Sequence, residues 1–483
     1  MKKNILLVVV LLLYIKSTAQ HIMDRIPESL NEEIMHKARA SFHKIPELKE
    51  WLVKRNEPQT RLSIVDHSTY FRWPMRVNSN YDDIPNYYVV SNYMDLNRGF
   101  PNSRVDWNCG MLNYDEHEGN DYSTYPFFWR MKNNSNAFAS AGAPGIVIGV
   151  RDTVTADNNC QRNDEESNTP NYISILHADS SISRYLHLKT GSARVVENQF
   201  VKRGQILAVV ASSGNSSNPH LHFDLRYFKD SNGEYDFVEP FVNDIDTAND
   251  CIPYARSDSW WQNQPDYITA RLNRIMTHSA TPYIWGDFNS TYNSQFCPEF
   301  ENPRVRNQFN PGDFLEVGVA LTHVSKYDAV LLTIYYPNGS EWTNMPRPVP
   351  DTRDGDPLSW RRQIYLSGGI NLPSNAPAGT YTIKAEFSYR PYDHNSPFNP
   401  QTSLQSSTTE HYFTVGCITS QTVSGTITTD NGYIVSNNLN STQLIQSGKT
   451  KYQSANYIQL NPGFEAKAGS TFKARIRDCN FSD

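Results

Sequence analysis

The sequence predicts a mainly β protein with several domains. From about residue 60 to 250, short apolar runs such as GIVIGV at 145–150 and NYISIL at 171–176 are separated by Asn, Ser, Gly and Pro. Two later regions, 301–417 and 418–483, show the period-two alternation that is typical of half-buried strands. A chain of 483 residues also exceeds what one hydrophobic core accommodates, so we expect three or four domains.

The N-terminal part differs from this β pattern. Residues 1–20, MKKNILLVVVLLLYIKSTAQ, combine a lysine pair, an apolar run and a small-residue exit, which predicts a secretory signal peptide. The run is shorter than the ~20 residues of a spanning helix, and no later stretch is apolar enough, so we expect a secreted chain without a membrane span. The extension 21–100 contains helical apolar spacing over 28–55, with Ile34, Ala38 and Phe42 at i, i+4 and i+8.

The remaining boundaries follow from changes in pattern. We expect a β domain at 101–250, followed by an aromatic-rich connector at 251–300 with one short helix at about 265–276. Regular alternation then predicts an immunoglobulin-like β-sandwich at 301–417 and a small C-terminal β module at 418–483.

The alternation also predicts which side chains form each core. In the sandwich these are Leu315, Val317, Val319, Leu321, Tyr381, Ile383, Ala385, Phe387 and Tyr389. In the C-terminal module they are Ile458, Leu460, Phe464, Ala466, Phe472, Ala474 and Ile476. Neither region carries a constellation of catalytic side chains, so both are expected to be structural or binding modules.

Charge and cysteine content restrict the function classes. The net charge is −6, and removal of Lys2, Lys3 and Lys16 with the signal would take it to −9, which argues against electrostatically driven nucleic-acid binding. Six cysteines in a secreted chain predict disulfides. The sequence contains no CxxC pair, which argues against a cysteine-ligated structural zinc. The simplest of the fifteen possible pairings joins the cysteines in chain order: Cys109–Cys160, Cys251–Cys297 and Cys417–Cys479.

The stretch SSNPHLHFDLRY at 216–227 places two histidines on one face of a predicted strand. Because strand side chains alternate, Leu221, Phe223 and Leu225 are expected to face a core, while His220, His222 and Asp224 face the other way. An HxH pair alone is weak evidence of a site, since it recurs by chance in a chain with 13 histidines. A site therefore requires further residues elsewhere.

The stretch HEGNDY at 117–122 offers the missing ligands. His117 and Asp121 are four apart with Gly119 between them, and a glycine allows a tight turn that lets imidazole and carboxylate converge. Together with one of the two HLH histidines they would make the three-ligand set of a catalytic zinc site, which leaves the fourth position to water. Alone, HxxxD is more often an ordinary polar loop. His187 in SRYLHL lies between the two half-sites, with Tyr185 expected on the same strand face.

The order of these motifs resembles the lysostaphin-type, or LytM-type, zinc metallopeptidases of peptidase family M23. Five elements occur in the family's order over roughly residues 105–230: HEGNDY at 117–122, YLHL at 185–188, KRGQILAVV at 202–210, SSGNSSNP at 212–219 and HLHFD at 220–224. The resemblance implies a LytM-type antiparallel β-sheet domain at 101–250. It also implies Zn²⁺ as cofactor, His117, Asp121 and His222 as metal ligands, and His187 and His220 as catalytic residues.

Two further residues are expected to support the site, and two departures bear on specificity. Asp224 could orient a ligand histidine, although a solvated carboxylate is an equal alternative, and Tyr185 is the second candidate. Asn218 stands where the family usually has a small residue. The longer segment after Asp121 is aromatic, and we expect Phe127, Phe128 and Trp129 to fill a core rather than line a cleft.

By family analogy, the expected substrate is the peptide part of bacterial peptidoglycan, in a stem or cross-bridge. The expected location is periplasmic, cell-surface or extracellular, and the C-terminal modules are candidates for binding the cell surface or other macromolecules. Two other classes stay open. One is a catalytically silent regulator or scaffold of cell-wall enzymes on the same fold, and the other is an adhesin whose β modules carry the function.

Overall fold

The structure, a computed structural model, describes 19 stretches of the chain: residues 28–54, 71–77, 87–100, 103–155, 169–216, 218–228, 235–242, 251, 259–268, 270–283, 301–350, 360–390, 404–416, 418–424, 426–427, 431–446, 449–454, 457–468 and 470–476. The expected signal peptide lies outside them. In the described part no helix is long and apolar enough to cross a membrane. The predicted mainly β fold class is confirmed. The described residues fall into two compact units divided near residue 267.

Helices α1 (Glu28–Ser41) and α2 (Ile45–Lys54) confirm the helical pattern predicted over 28–55, but as two helices joined by a 3₁₀ turn at Phe42–Lys44. The division follows from Pro46, which lacks a backbone N–H and is tolerated only in the first turn of a helix. The apolar face of α1 is buried against the large sheet described below, where it packs with residues such as Ile146 and Leu176. This burial, rather than helix propensity, gives most of the stability of so short a helix.

The first unit contains two antiparallel sheets and one more helix, α3 (Phe128–Asn133). The large sheet has the order β2-β3-β10-β7-β6-β5-β8, and β11 also pairs with β10; the small sheet has the order β1-β4-β9. The strands are β1 Met75–Val77, β2 Tyr88–Asn92, β3 Asn120–Thr124, β4 Ala137–Ser140, β5 Gly145–Arg151, β6 Tyr172–Leu176, β7 Ile182–Leu186, β8 Phe200–Val201, β9 Ile206–Val209, β10 His220–Phe228 and β11 Tyr235–Val238.

Strand β10 is central in the large sheet, and its two faces differ as the alternation predicts. Leu221, Phe223 and Leu225 are fully buried on one face, where Phe223 contacts the rings of Tyr185 and Trp261. The opposite face carries the histidines and is also buried, because α1 packs over its far end. The aromatic residues that follow Asp121 are core as expected: Phe127, Phe128 and Trp129 are all buried.

One disulfide in the described part corrects the predicted pairing. Cys109 is bonded to Cys251, 142 residues later, and not to Cys160, so Cys251–Cys297 is also wrong. Chain order was a poor guide because pairing follows the distance between Cβ atoms in the folded chain, here set by the packing of the segment after β11 on the loop before β3. Cys160, Cys297, Cys417 and Cys479 lie outside the described residues, so Cys417–Cys479 remains a prediction.

The second unit begins with a β-sandwich of two facing sheets. Their orders are β12-β14-β17 and β13-β19-β18-β15-β16, and only the short β13 pairs in parallel, with β19. All the predicted core residues are buried except Tyr389, which is partly buried against the same core. The strands are β12 Arg271–His278, β13 Gln308–Phe309, β14 Phe314–Ser325, β15 Ala329–Tyr335, β16 Glu341–Pro348, β17 Trp360–Asn371, β18 Gly379–Tyr389 and β19 Gln405–Val415.

The short helix expected at about 265–276 is wrong. Residues 271–278 form β12, which pairs with β14 and places Ile275 in the sandwich core. Pairing with a long neighbouring strand satisfies the backbone groups and buries this side chain, and it overrides the local helical spacing. The sandwich thus takes its first strand from the segment expected to be a connector.

The C-terminal module is a stack of parallel strands. The sheets have the orders β20-β22-β24-β27, with β25 also on β22, and β21-β23-β26, and every pairing is parallel. Successive turns therefore lie one above the other, as in a solenoid. The strands are β20 Ile418–Val423, β21 Thr426–Ile427, β22 Asn431–Ser441, β23 Leu444–Ile445, β24 Lys449–Ser454, β25 Tyr457–Leu460, β26 Glu465–Ala466 and β27 Thr471–Ile476.

The predicted core of this module is partly wrong. Ile458, Phe464 and Phe472 pack on buried Val423, Leu439 and Tyr452, whereas Leu460, Ala466 and Ala474 are exposed. In a thin stack each strand has few residues facing inward, and the short strands and corners break the simple alternation. The side chain of Ile476 lies outside the described part.

We predict that the Cys109–Cys251 bond contributes substantially to the stability of the first unit. The double variant Cys109→Ser/Cys251→Ser should lower the free energy of unfolding by about 2–5 kcal/mol, because the bond restricts a long loop in the unfolded chain. Thermal unfolding of the oxidised chain and the variant measures this. A non-reducing peptide map that links Cys109 to any other cysteine would contradict the pairing.

Candidate metal centre

Two paired strands, and the loop before one of them, bring the predicted ligands together. Asp121 on β3 lies directly opposite His222 on β10, and His117 lies in the loop just before β3. Asp121 Oδ1 is 3.1 Å from His117 Nε2 and 3.0 Å from His222 Nδ1, and the two histidine nitrogens are 3.3 Å apart. All three side chains are buried. Three residues separated by up to 105 positions therefore present one ligand atom each to a single point.

The other two histidines stand beside this cluster. The ring centroids of His187 and His220 are 4.6 Å apart, and His220 Nε2 is 3.6 Å from Asp121 Oδ1. His187 reaches this side of the sheet because β7 ends at Leu186 and His187 has a φ of 62°. This left-handed conformation, which is uncommon outside glycine but which histidine adopts more often than most residues, breaks the strand alternation.

Tyr185 does not join the cluster. It lies opposite Phe223 in the register, its ring packs on Phe223, and its hydroxyl accepts a hydrogen bond from the backbone N–H of Gly142. Simple alternation placed Tyr185 and His187 on one face, and the φ of His187 separates them. Asp224, in contrast, is buried on the histidine face, with its Oδ2 3.5 Å from His222 Nε2.

Hydrogen bonds to backbone carbonyls determine which ring nitrogens are free. The Nδ1 atoms of His117, His187 and His220 lie 2.7, 2.7 and 2.8 Å from the carbonyl oxygens of Tyr93, Ser213 and Asn218. A carbonyl oxygen only accepts, so each Nδ1 carries the hydrogen and each Nε2 is left with its lone pair or a second proton. For His117 this directs the Nε2 lone pair at the cluster.

Two supporting residues escaped sequence reasoning. Asn92 Nδ2 on β2 donates a hydrogen bond of 2.9 Å to Asp121 Oδ2, which leaves Oδ1 for the cluster. Nothing in the local sequence YVVSNY marks it, because its role depends on the pairing of β2 with β3. Tyr93 contributes only its backbone oxygen, which any residue supplies.

Gly119 has a different role from the tight turn that the sequence suggested. Its φ is not positive, but a Cβ atom added there would lie 2.6 Å from His222 Nε2 and 2.7 Å from the carbonyl oxygen of Phe223. The loop before β3 therefore runs in direct contact with the ligand histidine. Glycine is needed for close approach of the two segments.

The charges in the cluster are strongly coupled. Burial raises the pKa of Asp121, but His117, His220 and the hydrogen bonds to the imidazoles lower it well below its ordinary value, so the carboxylate is ionised. Burial lowers the pKa of His222, whereas hydrogen bonds with Asp121 and Asp224 raise it, with a net value of about 9. Burial and the neighbouring His220 and His222 lower the pKa of His187 well below its ordinary value, which keeps its imidazole neutral at physiological pH.

The donor set fits a zinc ion. Two imidazole nitrogens and one carboxylate oxygen are the usual ligands of catalytic zinc, and ligands ~2.0–2.1 Å from a tetrahedral ion are about 3.3–3.4 Å apart. The observed separations of 3.0–3.3 Å are close to this value without rearrangement. Because ligating histidines must be neutral at the donor nitrogen, binding of a cation displaces the proton that His222 otherwise shares with Asp121.

Comparison with protein families identifies a peptidase domain in the first unit. Residues 138–235 match the model of Peptidase family M23, so the chain carries an M23 peptidase domain and the predicted resemblance is confirmed. The matched segment contains His187, His220 and His222, whereas His117 and Asp121 lie upstream of it.

Two curated relatives match over short stretches. Cell division protein DipM of Caulobacter vibrioides is 39% identical over 57 residues, which are 12% of this chain and 9% of that protein. Peptidoglycan DD-endopeptidase ShyB of Vibrio cholerae is 42% identical over 55 residues, 11% of this chain and 12% of that protein. The chain thus spans about a tenth of the length of each relative. A solved zinc-containing peptidase from Vibrio cholerae is 25% identical and covers 32% of this chain and 36% of its own, at a TM-score of 0.21 that is too low to support a structural argument.

A buried glutamate, Glu239, follows β11 directly and contacts Asn120 on β3. Glu239 Oε1 accepts hydrogen bonds of 3.2 Å from Asn120 Nδ2 and from the backbone N–H of Phe241. Burial raises the pKa of Glu239 to about 8 and outweighs these hydrogen bonds. The folded protein therefore keeps this proton up to about pH 8, whereas the unfolded chain releases it near its ordinary value of 4.5.

We predict that Glu239 makes the fold less stable as pH rises. Between about pH 4.5 and 8 the folded state holds one proton more than the unfolded state at this position, so stability falls by up to about 1.4 kcal/mol per pH unit. Glu239→Gln should reduce this decline, and thermal midpoints of metal-free protein from pH 5 to 8 measure it. The exposed Glu47→Gln on α2 is the control and should follow wild type. A Glu239→Gln profile parallel to wild type would refute the prediction.

We also predict that Gly119→Ala weakens metal binding. The added Cβ would push against His222 Nε2 and the backbone of Phe223, so the ligand ring must shift. Zinc affinity should fall at least tenfold, as measured by competition with a chromophoric chelator. Gly149→Ala in the same sheet is the matched control, because the Cβ there would meet only the ring of Tyr172, at 3.0 Å. Equal affinity in both variants would show that the close approach has no role.

Proposed function

We propose that the protein is a secreted, zinc-dependent endopeptidase that cleaves peptide bonds in the stem or cross-bridge peptides of peptidoglycan. The observation that carries the proposal is the convergence of His117 Nε2, Asp121 Oδ1 and His222 Nδ1, with His187 and His220 at their side. The M23 domain and the similarity to a peptidoglycan DD-endopeptidase support the reaction class.

The proposed mechanism assigns a role to each of the five residues. His117, Asp121 and His222 would hold zinc, which when bound would supply a Lewis acid that polarises the scissile carbonyl and lowers the pKa of a bound water. The Nε2 atom of His220, 3.6 Å from Asp121 Oδ1, lies where it can hold the attacking water and accept its proton. His187 stays neutral through burial and has its hydrogen on Nδ1, so its Nε2 lone pair can accept a hydrogen bond from the attacking water and orient it. His220, once it has accepted the proton of that water at Nε2, can donate a hydrogen bond to the oxyanion.

The carbonyl contacts of these two histidines support this assignment. Each ring is held at Nδ1 by a backbone oxygen, Ser213 for His187 and Asn218 for His220, and both carbonyls belong to the glycine- and serine-rich segment before β10. Ser213 is itself held by a hydrogen bond from its hydroxyl to the carbonyl of Leu188. The catalytic rings are therefore oriented by the backbone and leave Nε2 for chemistry.

Location and partners follow from the same proposal. The signal-like residues 1–20 would direct the chain to a compartment where peptidoglycan and an oxidised Cys109–Cys251 bond occur together. The sandwich and the parallel β module would then serve as binding modules for the cell surface or other macromolecules. The alternative of a catalytically silent regulator or scaffold predicts a folded site without turnover, and an adhesin predicts activity in residues 301–483 alone.

We predict that two single substitutions separate metal binding from catalysis. His222→Ala should reduce bound zinc to less than half a mole per mole of protein, because it removes one of three ligands. His220→Ala should keep its zinc and lose at least a hundredfold in turnover, because it removes only the proton acceptor. Metal analysis and the release of new amino groups from purified peptidoglycan measure the two effects.

The controls decide between the proposed and alternative functions. His36→Ala on the exposed side of α1 should match wild type in both measurements. Full zinc content in His222→Ala would refute the ligand assignment, and zinc loss in His220→Ala would reverse the two roles. Wild-type protein that binds zinc but releases no amino groups from any peptidoglycan would favour the regulator. A chain whose only activity is surface binding, and which loses it when residues 268–483 are deleted, would favour the adhesin, whereas the enzyme should keep turnover on soluble peptide after that deletion.

A further inference from the structure

A buried chain of polar side chains leads from the ligand His222 to the N-terminal helix α1. His222 Nε2 lies 3.5 Å from Asp224 Oδ2, and Asp224 Oδ1 accepts a hydrogen bond of 2.7 Å from Arg184 Nε. Arg226 Nε lies 3.4 Å from the same Asp224 oxygen. At the far end, Asn31 Oδ1 accepts hydrogen bonds of 2.7 Å from Arg184 Nη1 and 3.1 Å from Arg226 Nη2.

The burial of this chain is unusual for its charge. Arg184, Arg226, Asp224, Asn31 and His222 are all 1% exposed or less. Glu118 is a further carboxylate in contact: its side chain is 15% exposed, and its Oε2 lies 3.1 Å from Arg226 Nη2. Two buried guanidinium groups in contact cost free energy unless their N–H groups are paired.

Asn31 supplies a neutral acceptor that joins both arginines. Asp224 engages the Nε side of each guanidinium, and Asn31 engages the opposite, Nη side. Arg226 is held further by the ring of Phe237, which its Cζ approaches to 4.0 Å. With their far ends held, the two guanidiniums have little freedom to turn away from Asp224. The position of the Asp224 carboxylate relative to His222 Nε2 therefore depends on α1.

We propose that Asn31, on a helix outside the matched M23 segment, is a positioning residue that holds the Arg184–Arg226 pair and, through Asp224, sets the orientation of the metal ligand His222. The inference rests on the proposed function, because His222 is a metal ligand only there. It gives the N-terminal helical segment a role in the metal site in addition to covering the sheet. Groups that orient a ligand histidine alter metal affinity by about 10–100-fold when removed.

The test measures metal affinity of the full chain, not activity. In Asn31→Leu the acceptor is replaced by an apolar group of similar size, and the dissociation constant for Zn²⁺ should rise 10–100-fold by chelator competition. The visible absorption spectrum of the Co²⁺-loaded protein should also change, because it reports the geometry of the ligands. Asn31→Asp keeps an acceptor oxygen at the same place and should bind Zn²⁺ within about threefold of wild type.

A packing control separates positioning from helix docking. Ile34→Ala removes buried apolar contacts of the same face of α1 and should lower the melting temperature while leaving the Zn²⁺ dissociation constant and Co²⁺ spectrum unchanged. Should Asn31→Leu fail to fold, Asn31→Ala replaces it with the same expectation.

The outcomes distinguish this inference from the proposed function. Wild-type protein that binds no Zn²⁺ would refute the proposed function. Wild-type affinity and spectrum in Asn31→Leu would refute the positioning role alone. Equal loss of affinity in Ile34→Ala and Asn31→Leu would also refute it, since helix docking would then be sufficient.

Discussion

The polar row on one face of β10 is the constraint that the rest of the first unit has to satisfy. His220, His222, Asp224 and Arg226 follow one another along this buried face, where unpaired polar groups are costly. Other elements supply side chains that contact this row. Asp121 on β3 and His117 in the loop before β3 contact His222, and Arg184 on β7 donates a hydrogen bond to Asp224. The central position of β10 makes this possible, because both neighbouring strands contribute side chains to the same face. The strand order β3-β10-β7 is therefore what assembles the site.

The row changes character along its length. At one end the histidines have free nitrogens and converge on an open point, which suits a metal and a substrate. At the other end α1 lies over the arginines, and Asn31 accepts a hydrogen bond from each of them while Asp224 lies at the Nε side of both. In metal sites the ligand side chains are commonly held in place by charged or polar residues behind them, because a ligand must be oriented toward the ion. In this chain the residue proposed to hold the rigid end lies on a helix that ends at Ser41, 97 positions before the M23 segment begins at residue 138.

The modules of the second unit contrast with this arrangement. The sandwich core is built almost entirely from apolar residues of alternating strands, and the C-terminal stack buries only a small cluster around Tyr452. Within their described residues no group of three metal-ligating side chains occurs. Among the described residues, the metal-ligating cluster therefore belongs to the first unit.

Local pattern was sufficient to predict the β class, the apolar faces of β10, β14 and β18, and the residues now found around Asp121, because strand periodicity and short motifs are properties of neighbouring residues. It could not predict features that depend on distant segments meeting. Cys251 rather than Cys160 reaches Cys109, β12 replaces a helix by pairing with β14, and Asn92 matters only through the pairing of β2 with β3. The C-terminal strands pair in parallel because the turns stack, which alternation does not reveal. Even Tyr185 and His187, two residues apart, point to opposite faces, since the φ of His187 was decided by the carbonyl of Ser213 and the strands around it.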